Sequence, residues 1–115
     1  MIGLVSIDFG HRGRRSHPAM VLTPRVCVHA RRNHTGRPFG GYGVSDPETG
    51  LLYHDAFETA HEASTFARAL IARFGPDPLV GAAIAVDDYR IHWTAKPAHY
   101  DDLREFCNPM LGAGG

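Results

Sequence analysis

The chain has 115 residues with twelve Lys and Arg, twelve Asp and Glu, eight His and a hydrophobic fraction of 43%; this suits one folded domain and excludes wholesale disorder. Its formal charge of zero hides a split, because residues 1–44 hold seven arginines against Asp8 alone, a formal +6, while residues 45–115 hold five basic side chains against eleven acids, a formal −6. No apolar run is long enough to span a membrane, the N-terminus has no signal-peptide pattern, and Cys27 and Cys107 stand far apart without CxxC spacing, so the expected setting is the cytoplasm with both thiols reduced.

Ile2–Asp8 is rich in Ile, Leu and Val and predicts a first strand, in the interior of a sheet. Residues 10–24 combine glycines, two prolines and closely spaced Arg and His without helical period, which predicts a loop holding at most a short extended piece at Ala19–Leu22. A second strand is expected over Arg25–Ala30, with Val26 and Val28 on one face and Cys27 and His29 on the other; a loop follows over 31–38. Phe39–Val44 and Leu51–His54 flank a turn in which Pro47 presets φ and Gly50 supplies a positive one, so they read as a hairpin.

The strongest helix signal comes next. Thr59 and Glu62 form a capping-box pattern, Ala63, Phe66, Ala67, Leu70, Ile71 and Phe74 recur at helical spacing, and Gly75-Pro76 ends the run, which predicts a helix over 60–74. Leu79–Val86 and Tyr89–Trp93 predict a second hairpin turning at Asp87-Asp88, with both strands apolar enough to be central. Tyr100, Leu103, Phe106 and Cys107 predict a short C-terminal helix, and 111–115 a flexible tail. The expected fold is a single α+β domain, 1–115: an antiparallel β-sheet built from hairpins, packed on one main α-helix with a short C-terminal helix.

Arg12, Arg14, Arg15, Arg31, Arg32 and Arg37 are the candidate contact residues, because guanidinium groups stay charged and grip phosphate bidentately. Phe39 and Tyr42 lie near them in sequence and suit stacking on unpaired bases. Codon usage in a GC-rich genome raises arginine throughout a chain, yet does not place seven of eleven arginines in the first 44 residues. The implied partner is nucleic acid or a nucleoprotein. Alternatively the arginines pair internally with acids such as Asp46, Glu48, Asp55 or Asp101, or the opposed charges drive protein–protein contact or homo-oligomer formation.

Catalytic signals are weaker. Arg37–Val44 departs from the central motif of RNA-recognition domains at Pro38 and by an extra glycine between its aromatics, and fails as a dinucleotide loop for want of a third glycine and a following helix. Ile7-Asp8-Phe9-Gly10 resembles, over four residues, the opening strand of RNase H-like nucleases; that resemblance implies a metal-dependent phosphodiesterase around Asp8, with Asp87, Asp88, Asp101 and Asp102 as further carboxylates. The eight histidines show no HxH or HExxH spacing, and no phosphate loop or nucleophile elbow is present, so no catalytic residue, metal or cofactor is assigned. The expectation is a small non-enzymatic binding or regulatory protein, of the kind that phages and mobile elements encode.

Overall fold

The computed structural model describes the backbone of residues 2–8, 14–32, 38–49, 51–87 and 90–108, and the side chains of 18–31, 40–49, 51–85 and 92–108. The elements are β1 (Ile2–Asp8), β2 (Arg14–Thr23), β3 (Val26–Arg32), β4 (Pro38–Ser45), β5 (Leu52–Phe57), α1 (Ala60–Phe74), β6 (Ala83–Asp87), β7 (Arg90–Ala95) and α2 (Tyr100–Cys107). Strands β1 to β5 form one antiparallel sheet in sequence order, and β6 and β7 pair with each other in a second. The architecture is α+β, as the sequence predicts.

Alternation along β3 and β4 decides how the large sheet packs. Val26, Val28 and Val44 enter a core with Ala63, Ala67 and Leu70 of α1 and with Leu103 and Cys107 of α2, while Cys27 packs with Ala19 and Val21 on the opposite face. The small side chains of Ala63 and Ala67, both fully buried, let α1 approach β3, β4 and β5 closely. Leu70 is 0% exposed, a burial that contributes roughly 1.5–3 kcal/mol. Thr59 caps the helix as expected: its Oγ1 accepts from the Glu62 amide at 3.1 Å. At the other end Gly75 takes φ 88 and its amide donates to Ile71 O, a backbone geometry that favours glycine.

Helix α2 is fastened by aromatic packing and one histidine. Phe106 lies between Phe66 and Phe74, with ring centroids 5.5 and 5.6 Å away, and the His99 imidazole hydrogen-bonds Pro78 O through Nε2 at 2.7 Å. Leu103 and Cys107 bury one face of the helix, and Asp101 and Asp102 occupy its first turn, where carboxylates complement the helix dipole.

Four expectations are corrected. Residues 14–23 are a strand, β2, not a loop; Pro18 is tolerated because it pairs with Leu4 of β1 just before the β2–β3 ladder begins at Ala19 and His29. Strand β1 consequently lies at the sheet's edge rather than its interior, since β2 separates it from β3. The second hairpin does not join the large sheet, and Leu79–Gly81 form a turn with Gly81 at φ 81, so that β6 starts only at Ala83. The expected loop 31–38 is shorter as well, because β3 extends to Arg32 and β4 opens at Pro38. The remainder of that loop, Asp88 in the expected second turn, and the tail lie outside the described residues.

Candidate nucleic-acid interface

Connectivity of an antiparallel meander sorts its turns onto two ends. The β1-to-β2 and β3-to-β4 connections fall at one end; the β2-to-β3 and β4-to-β5 turns fall at the other. At the first end Asp8 pairs with Arg14, Ile7 with Arg15, and Arg32 with Pro38. Arg14 and Arg15 open β2 while Arg31 and Arg32 close the antiparallel neighbour β3, so four of the six candidate arginines occupy strand positions at one end of the sheet. Arg12 and Arg37 lie outside the described residues, two peptides before Arg14 and one before Pro38.

Among these arginines the side chain of Arg31 is described. Its Nε is 3.6 Å from Asp55 Oδ2, and the two side chains are 33% and 45% exposed. Exposed pairs of this kind are worth about 0–1 kcal/mol, so Asp55 contributes little to holding the guanidinium. The stem of Arg31 crosses Gly41, where a Cβ would sit 2.9 Å from both Arg31 Cδ and Phe57 O. Gly40 and Gly41 have φ values of 95 and 80, and the β3–β4 register shifts beside them. The glycines thus make a bulged, closely approached strand.

Of the two aromatic candidates, Tyr42 does not join this arrangement. Tyr42 is half-buried and packs on the core, whereas Arg31 lies with His29 and Asp55 on the face away from α1. Phe39 belongs to β4, and its side chain is outside the described set.

Internal pairing claims a different arginine. At the far end of the sheet Arg25 grips Asp46 in a two-pronged contact, Nε to Oδ1 at 2.9 Å and a terminal nitrogen to Oδ2 at 2.8 Å, with Asp77 a further 3.7 Å contact. Asp46 is 0% exposed and also accepts from the Glu48 amide and the Thr49 hydroxyl. Tyr53 donates its hydroxyl to Arg25 O, and Thr23 Oγ1 donates to Pro76 O. Two sheet turns and the α1–β6 connection are tied together here. Hydrogen bonds to Asp46 hold the Arg25 pKa above its ordinary value, and burial, followed by the charge of Asp46, does the same for Tyr53. Sequence reasoning missed this assembly as a unit, although an Asp opening an Asp-Pro-Glu-Thr turn is a recognisable side-chain-to-backbone turn signal.

A second polar pair lies on the sheet face away from α1. His29 Nδ1 is 2.8 Å from Ala30 O, which fixes the proton on Nδ1 and leaves Nε2 to accept from Ser45 Oγ at 2.7 Å. This is the contact a base makes with a nucleophile, but Ser45 is only 3% exposed, which closes the hydroxyl to a substrate, so its role is to satisfy a buried imidazole.

The carboxylates of the nuclease alternative are dispersed in the chain's elements. Asp8 ends β1, Asp87 ends β6, and Asp101 and Asp102 are exposed on α2, with Asp102 3.7 Å from Arg73. Among the described residues no cluster of three or more His, Cys, Asp or Glu side chains is arranged to hold a metal ion. No described helix is long and apolar enough to cross a membrane. No protein-family model, curated protein or solved structure matches this chain.

Proposed function

We propose that this chain is a binding and regulatory module that docks on nucleic acid, alone or within a nucleoprotein, through the arginine-bearing end of its large sheet. The observation that carries the reading is topological: the meander gathers the strand positions of Arg14, Arg15, Arg31 and Arg32 at one end. Arg25, the seventh arginine of the segment, is consumed by Asp46 at the other end and has no part in binding. Recognition is of the phosphate backbone, since Tyr42 packs on the core face opposite Arg31, and backbone contacts position a protein without reading sequence.

The test is fluorescence anisotropy of short DNA and RNA probes titrated across salt. Six phosphate contacts on duplex DNA give a slope of log K against log salt of about −5, and about a thousandfold loss of affinity between 50 and 200 mM NaCl. Replacing Arg12, Arg14 and Arg15 together with alanine lowers the slope to about −3 and weakens binding at every salt. Unchanged affinity and slope in that variant, or no binding at 50 mM NaCl, refutes the assignment.

A further inference from the structure

Strand β5 is an outer strand whose pairing with β4 is broken by two register shifts. It pairs with β4 alone among the described elements, and the β6–β7 hairpin forms its own sheet instead of covering it. Proteins blunt such edges with lysine, proline or short strands. The sequence Leu52-Tyr-His-Asp-Ala-Phe57 has neither lysine nor proline, and its one charged side chain, Asp55, is engaged with Arg31. Leu52, at 45%, is one of the few large apolar side chains left exposed among the described residues.

Beside the start of this edge lies a cleft of about 180 Å³, walled by Leu52 and Tyr53 on one side and by Trp93, Tyr100 and Leu103 on the other. No β4 residue lines it, which puts it on the outer side of β5. Its volume is below the roughly 300–1,000 Å³ of a small-molecule site and fits one apolar side chain. Arg104 closes one end of the wall. Arg25, Arg31 and Arg73 each have an acid within 4 Å, whereas the Arg104 side chain has no ion-pair partner among the described residues. Lys96 adds further positive charge, with Nζ 4.4 Å from the centre of the Tyr100 ring.

We propose that β5 and this cleft bind an extended peptide segment of a partner protein by strand addition. The segment's backbone hydrogen-bonds along the β5 edge, one apolar side chain fills the cleft between Leu52 and Trp93, and an acidic side chain meets Arg104. In this mode main-chain bonds supply affinity and a side-chain pocket supplies selectivity. A second copy of the chain is a poorer occupant, because the only carboxylate that its own β5 offers is Asp55, which must leave Arg31 to reach Arg104. The cleft lies by the β4–β5 turn, while β5 runs from it towards Arg31, and the proposal does not rest on the nucleic-acid reading.

Trp93 is the chain's single tryptophan and lines the cleft, so its emission reports occupancy directly. A displayed library of random octapeptides is selected on the full chain, and the enriched peptides are synthesised and titrated against Trp93 fluorescence. The expected result is enrichment of an apolar residue with an acidic neighbour and a saturable emission change. N-methylation of alternate peptide amides weakens binding at least about tenfold by removing main-chain hydrogen bonds. Arg104→Glu, on an exposed helix face and checked for unchanged circular dichroism, weakens it about tenfold, and a peptide with lysine in place of its acid regains the loss. The proposal is overturned by failure to enrich any sequence, by binding indifferent to N-methylation or to Arg104→Glu, or by a concentration-dependent dimer that Leu52→Lys converts to monomer, which would assign the edge to a second copy.

Discussion

Asp46→Ala is the substitution whose cost the structure defines best. Asp46 is 0% exposed and its two carboxylate oxygens accept four hydrogen bonds: two from Arg25, one from the Glu48 amide and one from the Thr49 hydroxyl. Removing one partner of a buried pair costs about 3–5 kcal/mol, chiefly through the charge left behind. Two features pull the value to the lower end of that range. The Arg25 side chain is 26% exposed, so water recovers part of its solvation, and Asp77 remains at 3.7 Å as a second partner. The expected loss is therefore about 3 kcal/mol, against a total stability of roughly 5–15 kcal/mol for a domain. Asp46→Asn keeps an acceptor for the Glu48 amide but gives up the charge, and is expected to lose about half as much. Urea unfolding followed by circular dichroism reads both values, with an unchanged m-value confirming that the two states are the same. Arg25→Leu combined with Asp46→Leu removes both charges together, and its loss is expected to be smaller than that of Asp46→Ala, since no charge is then stranded. A cost below about 1 kcal/mol for Asp46→Ala would mean that Arg25 and Asp46 behave as a surface pair, and the account of this turn would be wrong.

Two further outcomes follow from the helix cap and the thiols. Thr59→Ala removes the hydroxyl that accepts from the Glu62 amide and is expected to cost about 1 kcal/mol in the same urea assay; no loss would show that the first turn of α1 is held by packing alone. Burial, reinforced for Cys27 by the charge of Asp46, pushes the thiols of Cys27 and Cys107 up to about 12, so at pH 8 the native protein should react with a disulfide reagent about a thousandfold more slowly than free cysteine. Because these pKa values are raised on folding, the native state retains protons that the unfolded chain has released. Stability is unaffected below about pH 8 and falls between roughly pH 9 and 12, by about 1.4 kcal/mol per pH unit for each thiol. Fast native-state labelling, or stability flat to pH 11, contradicts the buried environment.

Sequence patterns disclosed the elements whose local chemistry and packing agree. Helix α1 was legible to the residue, because Thr59, the apolar stripe and Gly75 each mark the same boundaries, and the alternation of Val26, Cys27, Val28 and His29 gave the two faces of β3. Strand β2 was hidden for a physical reason. Its first half pairs with β1 alone, and Arg14, Arg15, His17 and Pro18 write no alternation there. The hairpin β6–β7 was misplaced because apolar content does not say which sheet a strand joins; Ile84 and Trp93 are accounted for by packing against the core beside α2. The charge split was visible at once, but only the register reveals that the end shared by Arg14, Arg15, Arg31 and Arg32 is opposite to Arg25, and that Tyr42 packs on the core face instead of beside Arg31.

The same register changes what the opposed charges mean. Head-to-tail association of a basic half with an acidic half needs the two halves of the sequence to be two faces of the molecule, and five of the eleven acids of the second half are engaged within the chain instead. Asp46 and Asp77 bind Arg25 inside the fold, Asp55 lies against Arg31, Asp102 faces Arg73, and Glu62 serves the start of α1. Each of these five is answered locally by a cation or an amide, whereas Arg14, Arg15, Arg31 and Arg32 hold strand positions at one end of the sheet. Acids engaged in this way offer no concentrated negative surface to the arginine-bearing end of a second copy. A polyanion does, with one charge for about every 1.7 Å of duplex length. That difference in charge density is the reason to seek the partner of this end among nucleic acids before other copies of the chain, and the salt slope is the quantity that counts how many arginines take part.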